Sequence, residues 1–332
     1  MLNWPLPSFA QKGAEMTART YGSTTALLLV LLALTMGPAA AQSYSHVSAD
    51  GAVQLSGGIG AMYLEGNEYV FNGDATLSRL IWQSRVPVLR GSMAVELSGG
   101  WSVSAEGSLA GFGSSYMEDY DWQIKTSSFD AWTDRSQHPD TDLNHYVTGA
   151  AALGYEISNV DDAVVRLQAG LKYTDVKWSA YGGSFVYSDG GFRNKSGNFA
   201  DGTPAISYRQ QLPEVFVGFD GDQYYDRVRL GGMLRGGLTV LAQSHDNHWM
   251  RNLRVEDSFR PAPTLALGAD VGFALGPTSE FTIAGRYDQT FLMRGKSEYF
   301  NTTTGARTIV GDDLGGAELR SAEITAGLRG AF

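Results

Sequence analysis

Two short runs hold the residues whose types and spacing could do chemistry. In Ser244-His245-Asp246-Asn247-His248, an extended backbone puts residues i and i+2 on one face, so Asp246 and His248 lie side by side. A carboxylate beside an imidazole orients it and stabilises its protonated form, which is what a histidine general base needs. In Glu118-Asp119-Tyr120-Asp121-Trp122, the same spacing pairs Asp119 with Asp121. Two carboxylates on one face repel, retain one proton more readily, and together can hold and polarise a water. Either run alone is equally the pattern of a solvated loop face or an adventitious cation site. The chain has no Cys, which excludes thiol nucleophiles and zinc-cysteine centres. Of its five histidines, His46, His138, His145, His245 and His248, the last has a carboxylate partner at strand spacing.

Such pairs act only if rigid elements bring them together. The flanking sequence alternates with period 2 in segment after segment, the mark of strands with one apolar and one polar face. From Val228 the even positions read Val, Leu, Gly, Leu, Gly, Leu, Val, while Arg227, Arg229 and Arg235 fall on odd ones. A soluble sandwich does not normally point several arginines into its core, and the stripes are long enough to cross a bilayer. Ten strands are expected, over 53–70, 76–88, 94–112, 145–157, 164–181, 205–219, 227–242, 259–275, 280–293 and 317–332. Tight turns at 158–162, 218–223 and 276–279 contrast with long polar loops at 113–144, 182–204, 244–257 and 294–315. That asymmetry predicts an all-β fold, a ten-stranded antiparallel transmembrane β-barrel with short periplasmic turns and long extracellular loops. A soluble antiparallel barrel or lectin-like sandwich is the competing fold. The Asp–Asp and Asp–His pairs fall at the outer ends of strands that are expected to face each other across the barrel mouth. One conflict follows from strict alternation, which would turn Asp119, Asp121, Asp246 and His248 outward; a bulge or strand end must reset the phase at 107–113 and near 242–244.

The remaining composition fits an exported envelope protein. Arg19 precedes the apolar run 26–36, followed by Pro38 and Ala39-Ala40-Ala41, the layout of a secretory signal peptide cleaved after Ala41. Residues 1–41 are therefore read as N-terminal extension and signal peptide, with Met16 as the expected start, and 42–332 as one barrel domain. No later apolar run approaches the ~20 residues of a spanning helix. With 25 Lys plus Arg against 35 Asp plus Glu, the net charge of -10 argues against nucleic acid as a partner and for a basic one.

The runs Asp119-Tyr120-Asp121-Trp122, 132–144 (WTDRSQHPDTDLN), Gly182-Gly183-Ser184-Phe185-Val186-Tyr187 and Asp246-Asn247-His248 resemble the omptins, outer-membrane endoproteases of Gram-negative bacteria. The resemblance covers nearly the whole chain after residue 41. It implies a proteolytic groove at the outward-facing top of the barrel, with Asp119 and Asp121 as the catalytic aspartate pair and Asp246 and His248 as the dyad. His248 would deprotonate a water that attacks the scissile carbonyl, without metal, cofactor or covalent intermediate. Asp134, His138 and Asp140 also match family positions and read as loop-bracing hydrogen-bonders. The family's pocket for a basic substrate side chain pairs an acid matched by Glu68 with one two residues before the dyad Asp; here that second position is Ser244. Substrates are accordingly expected to be peptides or proteins cleaved at basic residues. Omptins also depend on lipopolysaccharide gripped by basic residues on the outer wall, whereas the matching positions here are Asp175 and Gln211, with Arg260 a third; Lys172 and Lys177 are the nearby cations. A catalytically idle barrel acting as an adhesin or binding protein is the alternative function, and a simple pore ranks behind it because ten strands leave little lumen.

Overall fold

The computed structural model describes residues 51–123 and 128–332. The signal peptide, its cleavage site and His46 lie outside the described residues.

Ten staves form a closed antiparallel ring. In ring order they are β1 (Val53–Asn72), β2 (Ala75–Glu96), β3 (Trp101–Ala110), β5 (Asp134–Val160), β6 (Ala163–Tyr181), β9 (Pro204–Tyr225), β10 (Val228–Thr239), β13 (Pro263–Ala274), β14 (Ser279–Asn301) and β15 (Arg307–Ala331). β15 pairs back onto β1 from Gln54↔Ala331 to Val70↔Gly315, so no wall strand is left with a free edge. Three staves continue upward as separate strands. β4 (Ser114–Asp121) extends β3, β11 (Gln243–His248) extends β10, and β12 (Leu253–Phe259) extends β13. A hairpin of β7 (Ser184–Tyr187) and β8 (Lys195–Asn198) docks on β5. Val53 and Phe332 exchange backbone hydrogen bonds at 3.0 and 2.9 Å, fixing both ends of the described barrel at the rim away from these extensions.

The wall matches the alternation, and the crown does not match the expected loops. The segments 113–144, 244–257 and 294–315 are largely paired strand, and 182–204 carries the short β7–β8 hairpin. Their residues are polar or aromatic on both faces, because nothing above the bilayer requires an apolar stripe, so the period-2 signal disappears while the ladder continues. The turn expected at 218–223 is likewise ladder, paired with β6 and β10 up to Tyr225; the chain reverses at Asp226, whose φ is +46°. Residues 94–96 belong to β2.

Leu230, Leu234 and Leu238 face outward, while Arg229 and Arg235 on the same strand are only 3% and 6% exposed. The lumen is crossed by ion pairs. Arg229 meets Asp222 at 2.6 Å and Glu280 at 2.7 Å, Arg90 bridges Glu106 and Glu323 at 2.7 Å each, and Lys172 lies 2.8 Å from Asp288 and 3.3 Å from Glu214. With the outer face apolar, these groups satisfy one another in the interior. The plug argues against the simple pore.

The phase resets where the geometry demanded. Odd residues of β3 face out (Trp101, Val103, Leu109), whereas odd residues of β4 face in (Ser115, Met117, Asp119). The break is Gly111-Phe112-Gly113, with Gly113 at φ +137°. Even residues of β10 face out, even residues of β11 face in, and Leu241 between them sits at φ +55°. Above the ion pairs lies an apolar layer including Leu64, Met117 and Met293 around Trp82, which stacks on Trp178 and Tyr208 at 6.0 Å each. Burying each such aromatic contributes ~2–3 kcal/mol. The layer also forms a low-dielectric floor directly beneath the inward carboxylates of the crown.

Candidate active site

The two chemical runs arrive from different sides of the mouth. β4 carries Asp119 between Leu80 of β2 and Ser136 of β5, and β11 carries Asp246 between Tyr208 of β9 and Val255 of β12. Along the ring, β4 and β11 are four staves apart one way and six the other, so they face each other across the opening. His248 Nε2 lies 2.5 Å from Asp246 Oδ2; the Asp is 1% exposed and the His 13%. His248 and Asp119 are close enough that an imidazolium there favours the Asp119 carboxylate.

Burial governs the protonation of this cluster. Asp119 has its pKa raised by desolvation, against the opposing charges of His248 and Arg251, and Asp246 adds to the rise. Asp121, part-exposed at the rim yet enclosed by protein, is raised to about 7 by desolvation and the neighbouring Asp119 charge, against Arg251 and a hydrogen bond from Ser78. The pair therefore holds a proton near neutrality, which a surface Asp does not. Asp119 Oδ1 and both Asp246 oxygens are buried without a well-aligned hydrogen-bond donor among the described residues. Tyr187, at the end of β7, lies in the field of Asp119, Arg251 and Asp121, and burial keeps its phenol protonated.

Glu68 and Ser244 both point into the same enclosure, 3% and 1% exposed. Burial and the charges of Asp246, Asp257 and Asp119 push the Glu68 carboxyl well above its ordinary range. Ser244 donates to Asp257 Oδ2 at 2.9 Å. Asp257, Ser78 and Arg251 are site residues that sequence reasoning missed. Ser78 pairs with Asp121 only through strand register, and Asp257 and Arg251 lie in a segment read as loop.

Asp134 and His138 brace the crown. Asp134 accepts from Gln123 at 2.8 Å and the Ser188 amide at 3.0 Å, and His138 contacts Ser136 at 2.9 Å while stacking on Phe199. Asp140 is exposed on β5. On the outer wall, Asp175 is held by Arg209 at 2.8 Å and His145 at 3.0 Å, Gln211 accepts no cation but donates to Tyr173 at 2.8 Å, and Arg260 pairs with Asp313. Lys172 points into the lumen ion pairs and is unavailable to the wall.

The Omptin family model matches residues 49–332. The plasminogen activator of Yersinia pestis is 25% identical over 319 residues, 93% of this chain and 99% of that protein. The outer membrane protease OmpP of Escherichia coli (strain K12) is 27% identical over 69% of this chain and 73% of its own length. The crystal structure of the outer membrane protease OmpT from Escherichia coli superposes with a TM-score of 0.79 over 85% of this chain and 97% of that one, at 23% identity. With the ten-stave barrel and the crown site, these likenesses establish that the chain belongs to the omptin family and is an outer-membrane protease.

Proposed function

We propose that the protein is an endopeptidase that cleaves polypeptides at basic residues by direct attack of water, with Asp119, Asp121, Asp246 and His248 as catalytic residues. The observation that carries this reading is the buried Asp246–His248 pair at 2.5 Å facing a carboxylate pair that retains a proton. His248 takes a proton from water as the oxygen adds to the scissile carbonyl carbon, and Asp246 stabilises the resulting imidazolium. The proton shared by Asp119 and Asp121 hydrogen-bonds the developing oxyanion. Collapse of the tetrahedral intermediate breaks the C–N bond as the imidazolium returns its proton to the leaving amine, which restores the site. Glu68 supports basic specificity as a buried acid beside the dyad, and the net charge of -10 draws cationic peptides toward the mouth.

Refolded barrel assayed on internally quenched peptides tests the reading. Asp119→Ala, Asp121→Ala, Asp246→Ala and His248→Ala should each lower kcat/KM by ~10²–10⁴-fold, and double variants should lose little more than single ones. A His248→Ala barrel that cleaves at the wild-type rate rules the mechanism out, whereas a folded wild type that cleaves no peptide leaves binding without catalysis as the function.

A further inference from the structure

The mechanism leaves one buried carboxylate without a task. Asp257 on β12 is 4% exposed and directly opposite Ser244 across the β11–β12 ladder. Its oxygens accept from Ser244 Oγ at 2.9 Å and Ser297 Oγ at 2.6 Å, and no Lys or Arg within ion-pair distance is recorded for it among the described residues. On β1, the Glu68 carboxyl is buried against Asp246, with which it shares a hydrogen bond, in a side chain 3% exposed. Glu68 and Asp257 act electrostatically on each other and on the same two rings, Tyr208 and Tyr299. Two acids, two tyrosines and two seralcohols thus share one enclosure beside the dyad Asp246.

Like charges gathered in a buried site are costly unless a cation joins them. Aromatic walls suit the methylene stem of a long basic side chain, and a carboxylate pair suits its head, with guanidinium able to bridge both acids. The geometry points to Asp257 as the second cation-binding carboxylate of the substrate side-chain pocket, together with Glu68, acting from β12 in the place that the sequence assigns to residue 244. Directly opposed residues in an antiparallel ladder have Cβ atoms ~4.5–5.5 Å apart, so an acid on either strand reaches the same enclosure. The pocket therefore holds two acids despite Ser244, which gives a strict preference for Arg or Lys.

This inference rests on the proposed cleavage at basic residues, and two measurements separate them. The first is kcat/KM for matched peptides differing only in Arg or norleucine before the scissile bond. Asp257→Asn should reduce the Arg-to-norleucine ratio by about 10- to 100-fold, the effect of one charge-assisted hydrogen bond. The exchange variant Ser244→Asp/Asp257→Ser should bring the ratio back to within about fivefold of wild type. The second is binding of argininamide to the His248→Ala barrel by titration calorimetry, which Asp257→Asn should weaken about tenfold. A ratio and an argininamide affinity both unchanged in Asp257→Asn overturn the assignment. A folded wild type that cleaves no peptide yet binds argininamide in an Asp257-dependent way upholds this pocket and rejects the protease mechanism.

Discussion

Replacing Asp257 with Asn should stabilise the folded barrel at pH 8 and change it little at pH 4. Burial, reinforced by the Asp246 charge and opposed by the hydrogen bonds from Ser297 and Ser244, raises this carboxyl from 3.8 to about 6. The folded state therefore binds the proton more tightly than the unfolded chain. Its contribution to stability is fully present below about pH 4 and is lost as pH rises through 6, since the native state binds more protons across that window. The difference corresponds to ~3 kcal/mol of destabilisation by the ionised form at pH 8. Asn has no charge to desolvate but makes weaker bonds with Ser244 and Ser297, which returns ~1 kcal/mol. The expected net effect is a gain of ~2 kcal/mol at pH 8 and a loss of no more than ~1 kcal/mol at pH 4. Equilibrium urea unfolding in detergent micelles at the two pH values reads it directly, provided the transition is two-state. If Asp257→Asn destabilises by the same amount at both, the carboxylate is compensated by a cation and the burial argument fails. A gain in stability together with lost selectivity for Arg is what a site held at the expense of folding predicts.

Two further outcomes test how the crown is set on the wall. Leu241 is 88% exposed and sits at φ +55°, so Leu241→Gly should raise the unfolding free energy by up to ~1 kcal/mol, whereas Leu241→Ile should lower it, because a β-branched side chain fits the left-handed region worse. Gly183 has φ +98°, and a Cβ there would fall 2.1 Å from the Gln137 carbonyl oxygen. Gly183→Ala should cost more than ~2 kcal/mol locally, detach the β7–β8 hairpin from β5, and speed limited tryptic cleavage at Arg193 and Lys195; an unchanged digestion rate would show that the hairpin docks by other contacts.

The wall was legible because lipid enforces a rule on every second residue. Leu230, Leu234 and Leu238 outside and Arg229 and Arg235 inside are a direct print of the bilayer on the chain. The crown is under no such rule, so its sequence reads as loop even though the ladder, interrupted by bulges, continues through it. The phase reset was legible for a different reason. Four residues of one chemistry could meet only if β4 and β11 were out of step with β3 and β10, and Gly113 and Leu241 supply that step. The Asp–His and Asp–Asp pairs were legible because their partners are two residues apart on one strand.

Asp257 was hidden for the complementary reason, since its meaning lies in a neighbour thirteen residues away that only strand pairing reveals. A comparison by position finds Ser244 where an acid is expected and concludes that charge has been lost. In an antiparallel ladder, however, the inward residue on one strand and its opposite number on the next occupy the same piece of space. A carboxylate can move from β11 to β12 and exchange places with a hydroxyl while the enclosure keeps both groups and the hydrogen bond between them. The quantity that decides recognition of a cation is then the number of buried acids within reach of its head, summed over the strands that border the pocket. Glu68 and Asp257 supply two from different strands here, each buried and neither within ion-pair distance of a Lys or Arg among the described residues. Specificity in such a barrel is a property of register as much as of sequence, and an exchange across one rung of the ladder is close to invisible in either strand read alone.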